Sequence, residues 1–179
     1  MKCLSKFTTK SGKNIEIWEP SMERLPALLE FVNRLVKEDT FLSFIGKPKI
    51  LAEKESWLKD SIANMKTGRS FLVWAVFNDK VIGSSDIIRS GTRDGHVGKI
   101  GLMVDKDFRR DGVGRFLLDF ILKKASQMKI KMATLDLFSD NMIAISLYQK
   151  LGFKEYGRLP NGLFRKNKYS DKIEMYKNL

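Results

Sequence analysis

Residues 105–115 read Asp-Lys-Asp-Phe-Arg-Arg-Asp-Gly-Val-Gly-Arg and join two segments of different periodicity. Before them, Val97–Val104 has the apolar character of a buried strand. After them, apolar side chains recur every three to four residues from Val113 to Met128, as on a helix packed against a sheet. The stretch therefore predicts a strand, a basic glycine loop and a helix N-terminus, in that order.

This loop has the properties of an oxyanion site. Gly112 and Gly114 let an anion approach the backbone, the first-turn N–H groups lack intrahelical partners, and the helix dipole favours negative charge. Arg109, Arg110 and Arg115 add positive charge. We therefore predict a phosphate-binding loop, although two glycines at a helix start are also typical of an ordinary tight turn.

Neither common nucleotide-binding motif fits the loop. The Gly-Lys-Ser/Thr end of the nucleoside-triphosphate loop is missing, and the dinucleotide fingerprint requires a third Gly or Ala where this chain has Leu117. Asp136 lies where an acid could imitate the ribose-binding carboxylate of that fingerprint. A nicotinamide-dependent oxidoreductase therefore stays open as an alternative.

The same periodicities extend outward from the loop and predict one α/β domain over residues 1–179, with the order β-α-α-β-β-β-α-β-α-β-β. The predicted elements are a strand at 14–19, helices around 25–36 and 50–65, strands at 71–77, 80–88, 97–104 and 131–138, helices from 113 and after Asn141, and terminal strands at 153–158 and 172–176 flanking a turn at Pro160-Asn161-Gly162.

Composition limits the classes of function. The chain has 33 Lys plus Arg against 21 Asp plus Glu, a formal charge of +12, which suits a nucleic acid, an anionic membrane or a polyphosphate ligand, or merely a soluble surface. With one Cys and one His it offers no disulfide and no thiolate cluster, so we predict no metal site. No apolar run approaches the roughly 20 residues of a membrane span, so we predict a cytoplasmic protein.

Two motifs together resemble a known family. Arg109-x-x-Gly112-x-Gly114, after a strand and opening an amphipathic helix, resembles the Arg/Gln-x-x-Gly-x-Gly/Ala motif of the GNAT superfamily of N-acetyltransferases. Asn141, Tyr148 and Leu151-Gly152-Phe153 are similar to its later motif, in which an Asn opens a helix, a Tyr lies two turns on and Leu-Gly-Phe ends it. One helix and one strand separate the motifs, and the resemblance covers nearly the whole chain.

The resemblance implies a mixed, mostly antiparallel central sheet with a splayed strand pair, flanked by about four helices. It implies acetyl-CoA as the cofactor, with the pantetheine arm paired to the backbone of Leu102, Met103 and Val104 and bonded by Asn141. The pyrophosphate would take backbone N–H groups of the loop, namely those of Arg109, Arg110, Gly112, Val113, Gly114 and Arg115.

The implied reaction is direct transfer of the acetyl group to a primary amine. Tyr148 would protonate the departing thiolate as general acid, and its alternative role is a core aromatic. His96 or Asp86 could act as base, but His96 could equally be a turn residue and Asp86 a structural, hydrogen-bonded one; a water relay stays open. Glu38 and Asp39, between the first two helices, could attract a cationic amine or be a solvated helix end.

The C-terminal residues narrow the acceptor. Gly157-Arg158, Tyr169-x-Asp171 and Met175 resemble relatives that acetylate ribosomal-protein N-termini, small herbicide-like amines or polyamines. We therefore expect a small amine or a protein N-terminus as partner, compatible with a homodimer, and neither a membrane nor a nucleic acid. The alternative is a non-catalytic module on the same fold that senses acyl-CoA or associates with RNA, for which basic Arg165–Lys168 would be the contact.

Overall fold

The computed structural model describes residues 2–42 and 48–179. This part of the chain forms eight strands and four helices: β1 (Cys3–Thr8), β2 (Asn14–Trp18), α1 (Leu25–Glu38), α2 (Leu51–Lys66), β3 (Ser70–Phe77), β4 (Lys80–Arg89), β5 (Val97–Val104), α3 (Val113–Gln127), β6 (Met132–Phe138), α4 (Met142–Lys150), β7 (Lys154–Arg165) and β8 (Lys168–Asn178). Short 3-10 turns precede α1 at Met22–Arg24 and follow β5 at Lys106–Phe108.

All eight strands form a single sheet in the order β1-β2-β3-β4-β5-β6-β8-β7. Every neighbouring pair is antiparallel except β5 and β6, which run parallel. These two strands pair only over Val97–Lys99 and Met132–Thr134, and both continue well beyond that point. The predicted mixed, mostly antiparallel sheet with a splayed pair and four helices is therefore confirmed.

Each face of the sheet carries its own core, because side chains alternate along a strand. On one face Leu72, Trp74 and Val76 of β3 pack against the buried residues of α1 and α2. On the other face Val73, Ala75 and Ile87 pack against α3, and the apolar side of α4 joins the same cluster. The helices therefore leave the splayed β5–β6 region between α1 on one face and the start of α3 on the other.

The first strand was not predicted from the sequence. Cys3–Thr8 pairs with β2 at the edge of the sheet and is only partly buried. Leu4 and Phe7 are three residues apart, so the segment lacks the alternation that identifies a half-buried strand.

The predicted turn at Pro160-Asn161-Gly162 is wrong. β7 continues through it to Arg165, and the chain reverses at Lys166 and Asn167, both with positive φ (49° and 59°). The Pro-Asn-Gly segment instead forms the irregularity between Leu159 and Leu163 in the β7–β8 register. Because β7 is an edge strand, the missing N–H of Pro160 is tolerated there, and the residues that favour a turn also favour a bulge.

Candidate active site

The parallel pair leaves a gap between β5 and β6, which we call the strand gap. Ile100–Val104 pair with β4 on one side, and no strand of the described chain pairs with them on the other. The predicted arm-binding residues Leu102, Met103 and Val104 lie on this unpaired edge. Unpaired N–H and C=O groups of a strand edge can bind an extended ligand by main-chain hydrogen bonds.

The loop after β5 leads from the strand gap into α3. Arg110 (φ 61°) and Gly112 (φ 95°) both adopt the left-handed conformation. The first hydrogen bond of α3 runs from the N–H of Phe116 to the Gly112 carbonyl (3.0 Å). The N–H groups of Val113, Gly114 and Arg115 lie before it and have no carbonyl acceptor within the helix. The N–H of Arg109, by contrast, already donates to the Lys106 carbonyl (3.3 Å) and so has a partner within the loop.

Different structural constraints act at the two glycines, Gly112 and Gly114. Gly112 needs its left-handed φ, and no heavy atom lies within 4 Å of where a Cβ would stand. Gly114 has no such φ, and a Cβ there would lie 3.5–3.6 Å from Leu147, Leu102 and Val104. Gly114 thus marks where the first turn of α3 meets β5 and α4.

The Arg109 side chain points to α1. Its Nε donates to the Val104 carbonyl (3.0 Å), and its two terminal nitrogens donate to both carboxylate oxygens of Glu38 (2.5 and 2.7 Å). Glu38 therefore carries a compensated charge, and is not a free carboxylate for an amine. Asp39 is the C-cap of α1 with φ 48°, and its carbonyl accepts a hydrogen bond from Arg165 (3.2 Å).

Asp111 is a carboxylate of the loop that no sequence pattern singles out. It accepts hydrogen bonds from the Ser11 N–H (2.8 Å) and hydroxyl (2.5 Å), which lower the pKa of the Asp111 carboxyl to about 2. The negative charge of this loop residue is thereby directed to the β1–β2 turn. The partners are 100 residues apart, so no local pattern indicates the contact.

Asn141 and Tyr148 lie at the start and near the end of α4. The Asn141 side-chain oxygen caps the helix by accepting from the Ala144 N–H (3.3 Å). Tyr148 is 7% exposed, and its ring contacts Phe153 edge to face at 5.6 Å. Burial, and to a lesser degree the negative charge of Asp136, raise the pKa of the Tyr148 phenol above its ordinary range, so this side chain stays protonated and can donate a hydrogen bond.

The structure separates the two predicted bases. Asp86 pairs with Gly101, two residues past the last β5–β6 pair, and a Cβ on Gly101 would be 2.5 Å from the Asp86 Oδ1. Its carboxylate therefore lies over Gly101, beside the start of the strand gap, and burial raises its pKa to about 6. His96 is exposed and precedes β5 at the paired end of the strand, where its carbonyl accepts from the Lys131 N–H (2.7 Å).

A second carboxylate beside the strand gap is Asp136. Its neighbours Leu135 and Leu137 are buried in the α3 and α4 core, so Asp136 points to the opposite face, where it forms an ion pair with Lys99. Its influence on the pKa of Tyr148 places it within electrostatic reach of the phenol. At the level of sequence, Asp136 enters only as an imitation of a ribose-binding carboxylate, and no sequence pattern indicates its proximity to Tyr148.

Two further observations concern residues 2–42 and 48–179. No three His, Cys, Asp or Glu side chains come together there in a way that could hold a metal ion. None of the four helices combines the length and the apolar character that crossing a membrane requires.

Comparison with known proteins identifies the family. Residues 30–153 match the sequence model of the Acetyltransferase (GNAT) family. This chain is a member of that family. The match includes both the loop and α4, so the two motifs that carry the resemblance lie within it.

Two curated relatives share sequence with this GNAT protein. N-alpha-acetyltransferase 30 of Dictyostelium discoideum is 40% identical over 65 residues, which cover 36% of this chain and 34% of that protein. The ribosomal protein bS18 alanine N-acetyltransferase of Escherichia coli (strain K12) is 35% identical over 54 residues, which cover 30% of this chain and 36% of that protein. The matches thus span about a third of the length of these relatives.

Solved structures share the fold along almost the whole chain. A GNAT-family acetyltransferase from Streptococcus pneumoniae has a TM-score of 0.83 at 25% identity, over 92% of this chain and 99% of that one. A phosphinothricin acetyltransferase from Sinorhizobium meliloti, solved in complex with acetyl-CoA, has a TM-score of 0.82 at 16% identity, over 97% and 89%. The low identity of the second protein makes it evidence for the fold alone.

Proposed function

We propose that this GNAT protein is an acetyl-CoA-dependent N-acetyltransferase whose acceptor is a primary amine on a protein N-terminus, a small amine or a polyamine. The observation that carries the proposal is the continuity of the unpaired β5 edge with the loop before α3. An extended arm can lie along Leu102–Val104 while its phosphate end meets the first-turn N–H groups of α3. Membership of the family, and the named activities of its relatives, support the same conclusion.

The residues present fit coenzyme A. The free donors for a pyrophosphate are the N–H groups of Gly112, Val113, Gly114 and Arg115, to which we add the N–H and side chain of exposed Arg110. We assign Arg109 no N–H contact, because that group donates to Lys106. Asn141 uses its oxygen as a cap, which leaves its amide NH₂ to bond the pantetheine arm.

We propose direct transfer of the acetyl group. The acceptor nitrogen attacks the acetyl carbonyl carbon, the C–N bond forms, and the C–S bond breaks with its electron pair leaving on sulfur. The Tyr148 hydroxyl hydrogen-bonds to that sulfur and supplies its proton, and after product release solvent returns a proton to the phenol and takes one from the base. For an ordinary phenol, transfer to a thiolate whose thiol has a pKa near 8.5 is uphill by about 2 kcal/mol. The raised pKa of Tyr148 makes it steeper, so the hydrogen bond to the developing charge is its main contribution.

The proton released by the attacking nitrogen requires an acceptor, and we propose Asp86 for it in preference to His96. Asp86 lies over Gly101 beside the strand gap, whereas His96 is at the paired end of β5. An α-amino group with a pKa near 7.8 costs about 1 kcal/mol to deprotonate at pH 7, and a lysine-like amine about 4 to 5 kcal/mol. A carboxylate with a pKa of about 6 suits the first, so we favour a protein N-terminus as the acceptor.

Calorimetric titration with acetyl-CoA, followed by a thiol-release assay, tests the proposal. The acceptor panel contains N-terminal peptides, polyamines and small amines, and Gly112→Asp is the control for binding at the loop. Binding with thiol release on one acceptor establishes the enzyme and its substrate class. Binding without release on the whole panel favours the non-catalytic acyl-CoA-binding module. Absence of binding, or equal binding by Gly112→Asp, contradicts the assignment of the loop.

A further inference from the structure

Two ion pairs connect the end of α1 to the segment between β5 and α3. Arg34 and Glu38 are one helical turn apart on α1, and their partners Asp105 and Arg109 are four residues apart in that segment. Nε of Arg34 lies 2.8 Å from Asp105 Oδ2, and Arg109 binds both oxygens of Glu38. The polarity is reversed from one pair to the other, so we call the four residues the crossed clasp.

The crossed clasp fixes the helix in one register. If α1 slid by one turn, Arg34 would approach Arg109 or Glu38 would approach Asp105, and like charges would meet. Each arginine also donates to a strand carbonyl: Arg34 to that of Val81 (2.9 Å), and Arg109 to that of Val104 (3.0 Å). Asp105 is 6% exposed, so one of the carboxylates is held away from water. Charge-assisted, forked bonds of this kind are both strong and geometrically specific.

The clasp joins the two halves of the proposed active site. On one side it holds the loop that leads into the first turn of α3. On the other it holds Glu38, which leads into residues 39–42, and we call 38–42 the acceptor wall. The acceptor wall is also held from across the strand gap, because the Arg165 guanidinium lies 3.7 Å from the Phe41 ring centre and donates to the Asp39 carbonyl.

We propose that Arg109 is a positioning residue, through which occupancy of the phosphate loop further restrains the acceptor wall. This inference rests on the proposed function, because it requires coenzyme A to occupy the loop. A bound pyrophosphate restrains residues 110–115. Arg109 immediately precedes them in the chain, and its forked hydrogen bonds transmit the restraint to Glu38. The cofactor therefore further restrains a wall that the clasp and Arg165 already hold in place.

The geometry argues against a direct phosphate contact by the Arg109 guanidinium. Three of its five N–H groups have protein acceptors, and the fork to Glu38 turns the guanidinium toward α1. Arg110 and Arg115 are exposed and lie beside the same N–H groups. The positive charge that a phosphate requires is thus supplied without Arg109.

Hydrogen–deuterium exchange with coenzyme A as the probe tests the proposal. In the wild type we expect the nucleotide to slow amide exchange at least threefold in peptides covering 105–116 and also in peptides covering 34–42. In Glu38→Gln we expect the protection of 105–116 to persist and that of 34–42 to disappear. In Arg109→Lys, a separate variant that keeps one charged donor, we expect part of the protection of 34–42 to remain. Glu55→Gln, which breaks the exposed Glu55–Lys59 pair (2.6 Å) on α2, is the matched control and should behave as the wild type.

Affinity and kinetics complete the test. Glu38→Gln should leave the dissociation constant of coenzyme A within twofold of wild type; tighter binding would show that the freed Arg109 is a phosphate ligand and would overturn the proposal. With an acceptor from the panel, the same variant should raise the acceptor KM at least fivefold at an unchanged acetyl-CoA KM.

Failure of this inference and failure of the proposed function give different results. Protection of 105–116 without protection of 34–42 in the wild type overturns this inference and leaves the proposed function standing. Absence of binding and of any protection by coenzyme A overturns the proposed function itself. If Glu38→Gln does not fold, as judged by its circular dichroism, Arg109→Lys carries the comparison, and an unaltered response of residues 34–42 in that variant overturns the inference.

Discussion

Tyr148 combines a buried ring with a hydroxyl that the proposed reaction uses. Phenylalanine keeps the ring and its 5.6 Å contact with Phe153 while removing the hydrogen bond to the leaving sulfur. We expect Tyr148→Phe to lower kcat by about 10²-fold or more, in the range of a lost general acid, with the coenzyme A dissociation constant within twofold of wild type. Steady-state kinetics and calorimetry on one preparation measure both. An unchanged kcat would reduce Tyr148 to a core aromatic.

Ionised Asp86 lowers the stability of the folded protein at neutral pH, a cost that a purely structural side chain would not impose. Burial raises its pKa from 3.8 to about 6, so the folded protein binds the proton more tightly than the unfolded chain. Stability therefore falls as the pH rises from about 4 to about 6 and stays lower above that range. We expect Asp86→Asn to stabilise the protein by up to about 3 kcal/mol at pH 7.5, and to lose this gain at pH 4.

Urea unfolding at the two pH values measures this difference. Gly101, which makes room for the carboxylate, is left unchanged in the variant. An equal gain at both pH values would show that ionisation of Asp86 is not its cause. A lower rate of acetyl transfer in the more stable variant would mark the buried carboxylate as a residue kept for function.

At the scale of the element, the loop before α3 contains two glycines that make different predictions. Gly112→Ala places a side chain at φ 95° and should cost about 1–2 kcal/mol of stability. Gly114→Ala meets only ordinary contacts at 3.5–3.6 Å and should leave the free energy of unfolding unchanged or raise it by up to about 1 kcal/mol. Because a Cβ at position 114 would face Leu147, Leu102 and Val104, and because the motif itself accepts Ala there, Gly114→Ala should leave the dissociation constant of coenzyme A within twofold of wild type, whereas Gly112→Ala should raise it. Denaturation and calorimetry of both variants separate conformational strain from ligand contact.

The elements also show what the sequence could and could not predict. Gly112, the N-cap Asn141 and the stripe of α3 are local patterns, and the structure has them where they were expected. β1 was missed because an edge strand needs no alternation, and the hairpin turn was misplaced because Pro-Asn-Gly suits a bulge as well as a turn. The direction of Arg109 depends on Glu38, 71 residues away, and no motif specifies a partner at that distance.

At the scale of the whole molecule, the sheet is weakest where the site lies. The β1–β5 half and the β6-β8-β7 half share three backbone residue pairs, and the strand gap occupies the rest of their common edge. The α3 and α4 core joins the halves on one face. On the other face the acceptor wall extends from Arg109 to Phe41, whose ring contacts Phe138 of β6 at 5.5 Å and lies under Arg165 of β7.

Arg165 therefore contributes to the junction of the two halves, and Arg158 on the same strand offers a matched comparison. The Arg165 side chain is 16% exposed and contacts Phe41, the Asp39 carbonyl and Asp140, whereas Arg158 is 42% exposed and pairs only with Glu155 and Asp171 of its own hairpin among the described residues. A largely desolvated cation–π contact with a charged hydrogen bond contributes more than an exposed ion pair. We expect Arg165→Ala to lower the free energy of unfolding by about 1–2 kcal/mol and Arg158→Ala by less than about 1 kcal/mol. Urea denaturation of the two variants measures this, and equal losses would mean that the contact across the strand gap adds nothing beyond a surface ion pair.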